Sequence, residues 1–424
     1  MHNLKILNSG NGQANIDKVR NVNFINEVLT NFLFLIIIIR IFTLDSFDLY
    51  LKYLINIKIG SYYISPIDIL AFILSITLFL LKFTAIFKKK LFIYILILPL
   101  TSFSIDLLIN KSRLELLPDI IVSYLKVLIP LFASILLGFS AGLSIYLIKY
   151  ICLIAIIYVG AQHIYFSLFL RESWLHETIK IGSLQFYRSI TTCGPRTASS
   201  YVLIFLYVIV KQLKRKGNKD ISLNILEIIF DIMFFLFILF SFTRGAILII
   251  AIIFINKYFK AGNILIAGEI FIISVLLTSI LFYARITSGI GRYGDIERLN
   301  QIKTAITSIR DYKEFIVGNG FGLLYKREVH YYEIDQVNFI SSQRLNIHNL
   351  NILLLREIGF IRLLILYLLI FRVIRWLKKS GNVYAYYTFI LSIIIIFNSE
   401  LILLFSEYNF PFFFSIVSKK IKNE

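Results

Sequence analysis

Stretches of about 20 mainly apolar residues recur along almost the whole chain, and that is the length needed to cross a bilayer as a helix. The sequence of 424 residues is 58% hydrophobic and only 16% charged. A soluble domain cannot bury so much apolar surface, so lipid has to be its solvent. The backbone of a spanning segment must satisfy its own hydrogen bonds, which in runs of this length selects helices. The expected fold is therefore all-α, a polytopic transmembrane helix bundle of about 12 spans. They are placed near 28–44, 64–83, 91–109, 120–138, 143–169, 195–210, 222–241, 244–259, 264–283, 348–374, 384–398 and 409–418. The polar opening MHNLKILNSGNGQANIDKVRN and the lack of an A-x-A-like site after Val28 to Leu44 argue against a cleaved signal peptide, so the first helix is expected to stay.

A net charge of +19 in a soluble protein would point to nucleic acid, but here it has to be read by position. With a cytoplasmic amino terminus, alternate connections receive Lys82 with Lys88, Lys89 and Lys90, then Lys211, Lys214, Arg215, Lys216 and Lys219. Arg372, Arg375, Lys378 and Lys379 follow, and last Lys419, Lys420 and Lys422. This is the positive-inside pattern, and Lys52, Lys58, Lys111 and Arg113 run against it. The chain then divides into a cytoplasmic segment 1–27, nine spans over 28–283, a large outer loop 284–347, three spans over 348–418 and a cytoplasmic tail 419–424. Nucleic acid is not an expected partner, and membrane lipids are.

The outer loop begins with DIERLNQIKTAITSIRD, in which Ile296, Leu299, Ile302, Ile306 and Ile309 recur at helical spacing and predict an amphipathic helix. A Gly-rich turn, GNGFG, and the mixed aromatic and charged stretch YKREVHYYEID follow. So long a loop in a compact protein usually carries function. Cys152 and Cys193 form neither a disulfide framework nor a zinc pattern. Asp295 with Glu297, and Glu333 with Asp335, set carboxylates two apart. The first pair falls in the opening turn of the predicted helix, where acids favour the positive helix end, so no metal is expected. GNGFG lacks the strand, helix and distant acid of a dinucleotide site, and no cofactor is expected. No internal repeat appears, and no matching pair of Gly/Pro-broken helices of the kind transporters use.

Three residues meet at the outer boundary by topology alone: Arg188 before the sixth span, Arg244 at the start of the eighth and His348 at the start of the tenth. A guanidinium stays charged and offers phosphate a rigid fork of donors; an imidazole near neutral pKa can take a proton from a hydroxyl. Each also has a plain structural reading, as an arginine snorkelling to headgroups or a polar helix cap. His176 and His330 are rival bases on the same face, but neither opens a helix. Glu227 and Asp231 share a helix face toward the cytoplasmic side, where pairing within the bundle is expected.

The segments FYRSITTCGPRTASSY at Phe186 to Tyr201, SFTRGAIL at Ser241 to Leu248, GNGFG, and HNLNILLLREIGF from His348 resemble, in order and spacing, the O-antigen polymerase and O-antigen ligase superfamily of bacterial envelope glycosyltransferases. The resemblance covers roughly the second half of the chain. It implies that Arg188, Arg244 and His348 are catalytic, with Arg196, next to Pro195 at the same helix start, as the alternative phosphate ligand to Arg188. It selects Arg298 in the outer loop, beside which Arg292 adds positive charge; Tyr325 and Tyr331 could stack on sugar rings. Glu357 and Gly359 match family positions and are read as packing support.

What the resemblance implies is a metal-independent, inverting glycosyltransferase of the bacterial inner membrane, active on its outer face. The donor is an undecaprenyl-diphosphate-linked oligosaccharide and the acceptor a lipid-linked repeat unit, giving an O-antigen or capsule polymerase. A flippase and a chain-length regulator are its implied protein partners. Two alternatives stand: an O-antigen ligase acting on lipid A core in lipopolysaccharide assembly, and a polysaccharide flippase or other transporter.

Overall fold

The structure is a computed structural model. It describes residues 24–36, 38–39, 57–59, 62–64, 66–87, 90–111, 114–138, 145–169, 177–181, 184–188, 190–191, 194–213, 225–287, 299–300, 302–303, 305–307, 309, 311–321, 331–334, 337–340, 349–381, 383–399 and 412–415. Helix dominates, as the apolar runs require, and the fold is all-α. In chain order the helices are α1 (Phe24–Ile36), α2 (Pro66–Phe87), α3 (Lys90–Ile109), α4 (Leu117–Gly138), α5 (Ile145–Phe169), α6 (Arg196–Gln212), α7 (Ile225–Phe240) and α8 (Arg244–Lys260). Then come α9 (Ile264–Thr287), the short α10 (Tyr312–Val317), α11 (Leu350–Lys379) and α12 (Val383–Ser399).

Among the described residues three helical stretches are long and apolar enough to cross a membrane: Leu117–Leu137, Tyr146–Phe169 and Ile264–Tyr283. These mark a membrane protein. The outward face of α9 is what lipid contact demands, with Ile264, Leu265, Phe271, Ile272, Leu276 and Phe282 all exposed. At the opposite extreme stands α6, in which every residue from Tyr201 to Val210 is buried; α5, α8 and α12 pack around it. Some hydroxyl groups inside the helices are satisfied locally, as when Ser75 donates to Ala71 O at 2.7 Å and Ser134 to Pro130 O at 2.6 Å.

Tight turns set the helix directions. Ser241 and Phe242 turn the chain from α7 into α8, with Phe242 at φ 52°; Gly262, at φ 79°, closes α8 and lets α9 start back. Ser380 and Gly381 do the same between α11 and α12. The ends of α5, α7, α9 and α12 therefore gather with the starts of α6 and α8 at one end of the bundle. Contacts fix this end: Ser167 of α5 donates to Phe240 O at 2.9 Å, Arg244 lies over the Phe282 ring, and Gly245 abuts Tyr201 and Ile395.

The connections are less bare than their loop-like composition suggests. Four antiparallel ribbons occur: β1 (Ile57–Ile59) with β2 (Tyr62–Ile64), β3 (Glu177–Ile181) with β4 (Leu184–Arg188), β5 (Ile190–Thr191) with β6 (Gly194–Pro195), and β7 (Tyr331–Ile334) with β8 (Val337–Ile340). β-Branched and aromatic residues in most of these strands favour them, and β3 and β4 pack on α9 and α5. In the amphipathic segment, residues 299–300, 302–303 and 305–307 are helical. Ala305 is buried and Ile302 packs on the core, while Leu299 and Ile306 face outward, so the inward stripe is narrower than the apolar spacing predicts.

Candidate functional site

Three of the basic residues singled out by sequence, Arg188, Arg196 and Arg244, lie at the end of the bundle where α6 and α8 begin. Arg196 is the first residue of α6 and Arg244 the first of α8. Arg188 closes β4 in the ribbon packed on α5 and α9, so its backbone belongs to the same end. The helix dipole makes the first turn of a helix a poor place for a cation, by about 0.3–1 kcal/mol, and a good place for an anion. Arg188 lies on a strand rather than at a helix start, in register with Glu177 of β3.

Arg244 sits over the ring of Phe282 from α9, 5.9 Å from its centroid. Behind it, the residues that open α8 are knitted to α6 by hydroxyls. Ser200 donates to Thr243 Oγ1 at 3.2 Å, and the Thr243 amide donates to Ser241 Oγ at 3.3 Å. Tyr201 presses its hydroxyl so close to Gly245 that an added Cβ would stand 2.2 Å from it, which fixes glycine at this position. One turn from Arg196, the buried Ser199 lies 3.1 Å from Nε2 of His163, itself only 2% exposed in α5. His163 was not among the sequence candidates; its signal was a Gln-His pair in an otherwise apolar helix.

At the opposite end, α6, α7 and α8 meet in a closed charge network. Lys211 Nζ lies 2.7 Å from Asp231 Oδ1 and 3.1 Å from Glu227 Oε1; Lys257 pairs with the same two acids. Tyr207 and Tyr258 donate to Asp231 at 2.7 and 3.2 Å. The sequence expectation that Glu227 and Asp231 pair within the bundle holds.

A third constellation ties α3, α4 and α11 together. Arg362 Nη1 donates to Asp106 Oδ1 at 2.5 Å and to Ser102, while Asp106 Oδ2 accepts from Tyr124 at 2.6 Å and from the Phe321 amide at 2.9 Å. Both ions were legible as charges inside apolar runs, but nothing in the sequence paired them across 256 residues.

Of the remaining sequence candidates, Tyr331 lies on β7 opposite Ile340. His348, Arg292, Arg298 and Tyr325 fall outside the described residues, as do His176, His330 and the Asp295/Glu297 pair. Asn349, next to His348, is the N-cap of α11, its side chain accepting from the Ile352 amide at 3.2 Å. Among the described residues no group of three or more His, Cys, Asp or Glu side chains is disposed to hold a metal. No protein-family model matches the chain, and no curated protein is detectably similar to it in sequence.

Proposed function

We propose that this protein is a surface-polysaccharide polymerase of the bacterial inner membrane, a metal-independent inverting glycosyltransferase that moves a growing glycan from undecaprenyl diphosphate onto a lipid-linked repeat unit. In this reading the chain crosses the membrane about 12 times, and the starts of α6, α8 and α11 face away from the cytoplasm. The observation that carries it is the gathering of the Arg188 ribbon and the Arg196 and Arg244 helix starts at one end of the bundle; His348 immediately precedes Asn349, the N-cap of α11. Lipid diphosphate is a leaving group whose charge grows as the glycosidic bond breaks. Fixed guanidinium groups at helix starts stabilise that charge without a metal. Arg188 and Arg244 take this role, with Arg196 at the start of α6 as the alternative phosphate ligand to Arg188.

His348 acts as general base, accepting the proton of the acceptor sugar hydroxyl as its oxygen attacks the anomeric carbon from the face opposite the departing diphosphate. The attack inverts the anomeric centre. Arg298 and Arg292 draw the anionic donor to the site, and Tyr325 and Tyr331 stack on sugar rings. A flippase and a chain-length regulator are the partners that this role implies.

The test is chain elongation by purified protein in nanodiscs supplied with lipid-linked repeat units. Wild type lengthens the glycan, while His348→Ala and Arg244→Ala each lose about 10²–10³-fold in rate. Elongation by His348→Ala at the wild-type rate eliminates the catalytic assignment.

A further inference from the structure

α11 is two helices rather than one. At Gly359 the backbone leaves the helical region (φ 75°, ψ 169°), separating residues 350–358 from 360–379. A break inside an apolar helix strands the carbonyls that precede it, and the chain must supply donors for them. Here the GNGFG turn does so. Asn319 N donates to Arg356 O at 3.1 Å, Gly320 N to Glu357 O at 2.8 Å, and Arg362 Nε to Ile358 O at 2.6 Å. Gly318 and Gly359 pass backbone to backbone, so closely that a Cβ on either would stand 2.4 Å from main-chain atoms of the other segment.

The buried Asp106–Arg362 pair locks this junction. Arg362 Nη2 donates to Val317 O at 2.5 Å, so one guanidinium holds the turn, the second half of α11 and Asp106 of α3 at once. Asp106 returns the hold by accepting the Phe321 amide, and Asn110 Nδ2 donates to Asn319 O at 3.2 Å. Each ion is satisfied by several partners, which is the condition under which a buried pair is tolerated at all. The junction is closed by protein groups on every carbonyl, unlike a transporter's broken helix, whose freed carbonyls hold an ion.

We propose that Asp106 and Arg362 are positioning residues: through the GNGFG turn they clamp the far end of the half-helix 350–358, and so fix the orientation of that half-helix and of its N-cap Asn349, which follows His348 in sequence. This rests on the reading of His348 as the base. The half-helix is about 13 Å long at 1.5 Å per residue, so a small tilt at Gly359 becomes an ångström-scale displacement at its start. Losses of about 10²-fold follow displacements of that size.

The experiment combines hydrogen–deuterium exchange with steady-state elongation kinetics, both on full-length protein in nanodiscs. Asp106→Asn is expected to speed exchange of the Asn319, Gly320 and Phe321 amides and of residues 354–358 by about tenfold or more, with α8 unchanged. It should also lower kcat about tenfold or more with KM within about twofold of wild type. Tyr124→Phe, which removes one hydroxyl from Asp106 and spares the ion pair, gives the same pattern at about two- to fivefold and serves where the aspartate variant does not fold. Unchanged exchange at the junction overturns the clamp. Faster exchange with unchanged kcat leaves it a structural tie and overturns the positioning role. A wild type that transfers nothing overturns the glycosyltransferase reading, and the positioning role with it, while the exchange arm still decides the clamp.

Discussion

The two ends of the α5–α9 bundle hold charge in opposite ways. At one, Lys211 and Lys257 face Glu227 and Asp231 in a balanced, tyrosine-lined network, with Asp231 at 1% side-chain exposure. At the other, arginines open α6 and α8, where the helix dipole works against them. A balanced buried network needs nothing from outside and works as a fastener. Under the proposed function, these arginines meet the diphosphate of the lipid-linked donor. On that proposal, the difference separates charge that holds the fold from charge that serves the donor.

Four variants put this contrast at risk. Asp231→Ala leaves two buried ammonium groups sharing Glu227, and should lower stability by about 3–5 kcal/mol in thermal unfolding, while the protein that stays folded elongates glycan normally. Arg244→Ala should reverse that profile, losing about 10²–10³-fold in elongation, or roughly 3–4 kcal/mol of barrier stabilisation, for a stability change near the ~1 kcal/mol of its ring contact. Equal destabilisation in the two would dissolve the contrast. Gly318→Ala sets a Cβ against the Glu357 carbonyl at a backbone angle of φ 81°; about 1–3 kcal/mol should be lost, visible as a lower unfolding midpoint. Ser200→Ala removes one donor to Thr243, and about 0.5–1.5 kcal/mol of stability should go with it, sharpening how far the seating of Arg244 depends on α6.

Much of the fold was legible because lipid leaves so few choices. The apolar run 91–109 became Lys90–Ile109, 143–169 became Ile145–Phe169, and 264–283 became Ile264–Thr287, each within a few residues. The placement of Arg244 at a helix start was readable in the same way, since a lone charge followed by GAILIIAII marks an entry into lipid. Long-range pairing was not readable. Nothing local announces that Arg362 reaches Asp106, or that GNGFG caps a broken helix, because only the folded packing brings those segments together. Gly359 sits in a helical pattern and reads as a packing contact; its positive φ appears only once the Gly318 backbone lies against it. The ribbon carrying Arg188 was missed as well, since short strands in a polar connection carry a weak periodic signal.

Sidedness can be tested separately in a cysteine-free background, with Cys introduced at Lys216 and at Ser341. The first should react with an impermeant thiol reagent only from the cytoplasmic side and the second only from outside; labelling of both from one side breaks the proposed parity.

The most direct measurement is binding of undecaprenyl diphosphate, titrated against wild type, Arg196→Ala, Arg244→Ala and Lys211→Ala in nanodiscs and read by native mass spectrometry. The account predicts that each arginine variant weakens binding about tenfold or more and that the folded lysine variant binds as wild type does. Undiminished binding by both arginine variants, or a loss confined to Lys211→Ala, would contradict it.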